Sequence, residues 1–180
     1  MATRNTTPKA PKSAEDNGNA TQAKTTKKEK FTPKRLDPHT YVRVVNGYHG
    51  ELIYISPRTG EKFGWPEFGA DQYIELQDLR AARSSGRAFF EKNWFLIEDQ
   101  EVLEDLGVAR FYKNAITADE FDTLFDKDPK EILDIVSKLS DGQKKAVGFL
   151  AKKKVAEQKL DSISLITSLE ELLGTELIER

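Results

Sequence analysis

The chain of 180 residues contains no cysteine, one methionine and two histidines, His39 and His49. Without cysteine there are no disulfides, thiolate nucleophiles or thiolate metal ligands, so the fold rests on packing alone. Such a chain suits a reducing interior. Long apolar runs are also missing. None approaches the roughly 20 residues that cross a bilayer, and the N-terminus lacks the apolar stretch of a signal peptide. The expectation is a soluble protein made in the cytoplasm, with no membrane partner.

The scarcity of histidine limits the chemistry further. His39 and His49 both sit near turns, without the helical pairing that sets up a metal site, and His49, between Tyr48 and Gly50, reads as a solvent-exposed turn residue. A nucleophile–base pair would need one of them, and no glycine-flanked serine accompanies either. No phosphate-cradling glycine loop of the usual spacing is present. Asp126-Lys-Asp128 precedes Pro129 in place of the glycine and distal glutamate of a calcium loop, and reads as a helix cap. The sequence therefore predicts no catalytic, cofactor-binding or metal-binding residue, and no enzyme.

What the chain does have is an uneven distribution of charge. Residues 1–35 carry nine basic and three acidic side chains, a net of +6, and the whole chain has a net charge of −2, which leaves −8 on the remaining 145 residues. Residues 1–35 offer almost nothing apolar before Phe31, so a basic, disordered arm is expected. Either this arm is a solubilising spacer, or Lys24, Lys27, Lys28, Lys30, Lys34 and Arg35 dock on a polyanion or on the acidic surface of a neighbouring copy. It has no aromatic interleaving beyond Phe31, so base stacking is not indicated.

From Tyr41 to Leu76 apolar and polar residues alternate in short runs, the period-2 signature of strands with one buried face. Asn46-Gly47 reads as the turn of a first hairpin spanning Val42 to Ile55, and Ser56-Pro-Arg-Thr-Gly60 as the turn of a second. A small antiparallel sheet closed by Trp65, Phe68 and Tyr73 is predicted. A helix over Asp78–Arg83 and a buried strand over Trp94–Ile97 follow. The cluster Phe89, Phe90, Trp94, Phe95 and Ile97 reads as core, with Trp65, Phe68 and Trp94 the rings that would contact a partner if any are exposed. Asp99 is placed to cap a helix ending at Gly107.

After Thr117 the pattern turns helical. Thr117-Ala-Asp-Glu120, Asp128-Pro-Lys-Glu131 and Ser140-Asp-Gly-Gln143 read as three capping boxes, and Ser162 opens a last helix with Ile163, Ile166, Leu169 and Leu173 inward and Gly174 at its end. Lys152–Lys154 reads as a solvated face near a helix C-terminus. The fold class expected is α+β: a basic arm over residues 1–35, a small sheet domain over 36–116 and an antiparallel helical bundle over 117–180.

The run from Ile53 to Gly69, with Phe89-Phe-Glu-Lys-Asn-Trp94, Phe111-Tyr-Lys-Asn-Ala115 and the ending from Leu169 to Ile178, resembles a family of tailed-bacteriophage proteins, uncharacterised in role, encoded among virion structural genes. The resemblance covers about residues 40–180. It implies a structural or assembly component of a phage particle, made in the host cytoplasm and present in several copies among other virion proteins. The docking reading makes the arm order against a neighbouring subunit. A second reading is a nucleic-acid-associated regulator using the arm and the first hairpin, which resembles small RNA-binding barrels; the net −8 of the body opposes it. A third is an assembly chaperone absent from the finished particle.

Overall fold

Strand β1 (Tyr41–Asn46) is the centre of the sheet region, because its alternation buries Val42 and Val44 and leaves Tyr41 and Arg43 in solvent. The computed structural model describes residues 35–178. Of the arm residues singled out above, only Arg35 falls in that range, and it is exposed; Lys24, Lys27, Lys28, Lys30 and Lys34 lie outside the described residues. Antiparallel partners flank β1 on both sides: β4 (Asp71–Glu75), with Val42 opposite Ile74, and β5 (Phe95–Leu96), with Val45 opposite Leu96. A separate antiparallel pair, β2 (Leu52–Ile55) and β3 (Lys62–Trp65), places Tyr54 opposite Phe63.

The hairpin expected between β1 and β2 does not form. The Asn46 amide donates to Ala70 O at 2.8 Å, the Gly47 amide to Trp94 O at 2.8 Å, and the Asn46 side-chain amide to both Gly50 O and Glu67 O at 2.8 Å. With those donors spent on other segments, residues 47–51 become a loop held from inside by a fully buried asparagine. The second hairpin forms as expected. Ser56 and Glu61 close it, and Gly60 adopts φ +75°, which its missing Cβ permits.

The first hydrophobic core lies between these strands and helices α1 (Leu76–Ser85), α2 (Ala88–Glu91) and α3 (Gln100–Asp105). Phe95 is its hub, with ring centroids 4.7 to 5.7 Å from those of Phe89, Trp65, Phe90 and Tyr54. Asp99 caps α3 by accepting from the Glu101 and Val102 amides. Tyr112 returns to the sheet, its hydroxyl donating to Phe95 O at 2.6 Å.

The second core gathers α4 (Ala118–Thr123), α5 (Pro129–Lys138), α6 (Asp141–Ala156) and α7 (Ile163–Leu173) around Phe121, Ile132, Val136, Val147, Ile166 and Leu169. One capping box closes on both sides: Thr117 Oγ1 accepts from the Glu120 amide, and the Thr117 amide donates to Glu120 Oε2 at 2.7 Å. Thr117→Ala is expected to lower the unfolding free energy by about 1 kcal/mol, read as a shift of the urea midpoint with unchanged slope.

The other two boxes are half-formed. Asp128 caps α5, but Glu131 turns away to pair with Lys127 at 2.9 Å. Ser140 caps α6, while the fully buried Gln143 side chain donates to Ile116 O at 2.7 Å and accepts from the Ile116 amide. That amide therefore ties the segment before α4 to the first turn of α6. Ile163, expected inward, is 73% exposed; Leu165 is buried instead. Helical spacing fixes a face without fixing where the packed surface ends. The protein is thus a mixed α+β fold with a small antiparallel sheet region and several helices.

Candidate functional site

The two cores meet at the backbone of Lys92 and Asn93. Asn93 takes a left-handed conformation, φ +52°, which asparagine tolerates better than most residues. From the sheet side Gly47 approaches so closely that a Cβ there would lie 2.2 Å from Asn93 O; from the helical side a Cβ on Gly142 would lie 2.0 Å from Lys92 O. Ser140 Oγ also donates to Lys92 O at 3.2 Å. Two glycines, one from each half, thus grip a single peptide segment, and no larger residue fits either position.

Beside this junction opens a groove of about 820 Å³. One wall is the face of α6 that carries Lys144, Lys145, Phe149 and Lys152, at spacings that put them along one side of the helix. The rest of the lining comes from the loop after β1, with Tyr48 and His49, from Lys92 and Trp94 before β5, from Leu172 and Leu173 at the C-terminal end of α7, and from Thr175 beyond it. Among the described residues, four lysines line the groove against one carboxylate, Asp141.

The rings in the groove differ in what they leave open. Trp94 is partly buried, with Lys92 Nζ 5.0 Å from its centroid and Tyr48 and Phe89 edge-on at 5.5 and 5.7 Å. Phe149 is 49% exposed. His49 packs against both Tyr48 and Phe149 in tilted contacts, with centroids 4.1 and 5.9 Å away, and its buried Nδ1 has no hydrogen-bond partner among the described residues. The solvent-exposed turn histidine of the sequence reading is therefore replaced by a partly buried one whose polar atom faces protein.

A second concentration of charge lies around α1 and has a structural task. Asp78, buried on α1, accepts from Ser56 Oγ and from Arg58 at 2.9 and 3.2 Å, and its backbone carbonyl accepts from the Tyr54 hydroxyl at 3.1 Å. Burial opposes the charge on Asp78, but the bonds from Arg58 and Ser56 outweigh it and hold the carboxyl below its usual value. Arg80 makes a comparable fork to Asp105 at 2.9 Å and also reaches Leu36 O at 3.0 Å. These clamps fasten α1 to the β2–β3 turn and to α3.

The expected contact residues part company here. Trp65 is fully buried, its indole donating to Val44 O at 2.9 Å, so it is core and not a contact ring. Phe68 does not close the sheet; it packs edge-on against Phe121 at 4.9 Å, a strut from the β3–β4 loop into the second core. Tyr73, the third ring expected to close the sheet, is 59% exposed because β4 turns that face outward. Trp94 alone among the three named rings reaches the groove. Lys152, read as part of a solvated face, lines it as well, while Lys154 lies over the Phe125 ring at 5.6 Å.

Sequence reasoning missed Tyr48, His49, Lys92 and Phe149 as a group, because Phe149 lies 101 positions after Tyr48 and only the fold joins them. The available signal was Phe149, an aromatic residue outside the inward positions of α6. Among the described residues no group of three or more His, Asp or Glu is placed to hold a metal, and no helix is long and apolar enough to cross a membrane. Comparisons with protein-family models, curated proteins and solved structures returned no match to this chain.

Proposed function

We propose that this protein is a structural or assembly component of a tailed-phage particle, a protein–protein docking module that carries out no reaction. The observation that supports docking most directly is the groove: an open, lysine-rich recess with a half-exposed phenylalanine, beside a junction where two glycines leave no room for a side chain. Such a recess suits recognition of another polypeptide, since partly exposed rings beside charge are the usual anchors of protein contacts. The phage assignment rests on the sequence resemblance over about residues 40–180. In this reading residues 36–116 and 117–180 act as two modules, the second an antiparallel helical bundle, and the basic arm orders along the acidic surface of a neighbouring copy.

The reading is tested on particles. Mass spectrometry of purified virions should find the protein as a stoichiometric component, and trypsin should cut the free protein within Lys24–Arg35 while sparing that segment in intact particles. Absence from virions overturns the assignment; presence only in assembly intermediates makes the protein a chaperone.

A further inference from the structure

We infer that the groove between α6 and the β1 loop is the receptor for an acidic segment of a partner protein, which seats one apolar side chain against Phe149. This rests on the docking reading above and names the chemistry of the docked partner. The first support is charge. Among the described residues, Lys92, Lys144, Lys145 and Lys152 line the groove with Asp141 as the one carboxylate, on a body whose residues after 35 carry a net −8. The groove is thus a cationic island on an acidic surface, and screening over about 8 Å at physiological salt keeps its field local. A short carboxylate-bearing segment that ends within the recess meets that field alone. A polynucleotide leaving the recess would run on over the acidic surface.

The rings point the same way. Single-stranded nucleic acid binds where successive aromatic faces stand open for stacking. Here Lys92 Nζ lies over the Trp94 ring and Tyr48 and Phe89 pack against that ring in T-shaped contacts, which leaves Phe149 as the one broadly exposed ring of the lining. One exposed ring flanked by cations matches one apolar anchor flanked by carboxylates. Leu172 and Leu173, which also line the groove, give the anchor apolar neighbours.

The test uses the full chain. Random peptides of about twelve residues are displayed and selected on the wild-type protein, with counter-selection on the double variant Lys145→Glu, Lys152→Glu; both positions are exposed, and matching circular dichroism establishes folding. The expected result is enrichment of peptides rich in aspartate and glutamate around one aromatic or leucine. The best of these, synthesised with a fluorescent label, should bind wild type with an affinity that falls by about tenfold or more in the double variant and in Phe149→Ser, and with added salt. No enrichment, or peptides that bind the variants equally, sinks the inference. A labelled short oligothymidylate bound more tightly than any selected peptide, and lost in the same variants, overturns it in favour of nucleic acid. Peptide binding with the protein absent from virions defeats the particle assignment and leaves the groove standing; the reverse outcome removes the groove alone.

Discussion

Gly142→Ala is expected to lower the unfolding free energy by about 2–3 kcal/mol, the upper part of the range for overpacking. The added methyl would sit 2.0 Å from Lys92 O and 2.9 Å from the Lys92 carbonyl carbon, and backbone on both sides prevents relief by a rotamer change. Alanine favours helix over glycine by up to about 1 kcal/mol, which offsets part of the loss without reversing it. Gly148→Ala is the internal control. It lies on the same helix, and its Cβ would meet only Leu173 Cδ1 at an ordinary 3.7 Å, so that variant should be neutral or slightly more stable. Urea unfolding followed by tryptophan fluorescence and far-ultraviolet circular dichroism measures both. Equal midpoints for the two variants would mean that the junction is slack.

Asp78→Asn should cost about 2–3 kcal/mol near neutral pH, because a buried carboxylate that gathers a hydroxyl and a guanidinium is replaced by an amide that cannot accept all of them. Arg58 is 40% exposed and regains water, which keeps the loss below that of a fully buried pair. The pH dependence has a definite sign. Since the folded state holds the Asp78 carboxyl below its ordinary value of 3.8, its contribution is fully present well above that value and disappears as pH falls through the lower, folded one. Wild type should therefore lose stability on acidification faster than Asp78→Asn, and the two curves should converge. Parallel curves would show that the clamp does not depend on the charge.

Local chemistry in the sequence carried a good deal of this fold. Thr117, Asp128, Ser140 and Ser162 cap helices where their side chains are expected to accept amide protons, and Gly174 ends α7 at φ +62°. The β2–β3 hairpin follows from Pro57 and Gly60. These signals act over a few residues, so they survive without knowledge of the rest. Strand partners did not follow in the same way. The alternation in β1 shows that it is a strand, but Asn46 bonds to Gly50, Glu67 and Ala70, and those bonds decide that β1 joins β4 and β5 and leaves β2 to β3. Gln143 likewise satisfies the spacing of a capping box yet spends its side chain on Ile116.

The candidate site was the least legible part. Trp65 and Trp94 are both tryptophans in aromatic-rich stretches, and no local rule separates the one sealed beneath Val44 from the one at the edge of a groove. By itself, the sequence determined the capped starts of α3 to α7 and the glycine end of α7, the core-to-solvent alternation along β1 and β2, and that a basic leader precedes an acidic body, while α2 and the start of α1 at Leu76 carried no such signal. Tertiary structure alone decided the strand pairing, the two glycines closing on Lys92 and Asn93, and the meeting of α6 lysines with rings from the β1 loop. Those features depend on which backbone donors and surfaces remain once distant segments have packed, and that is a property of the whole chain.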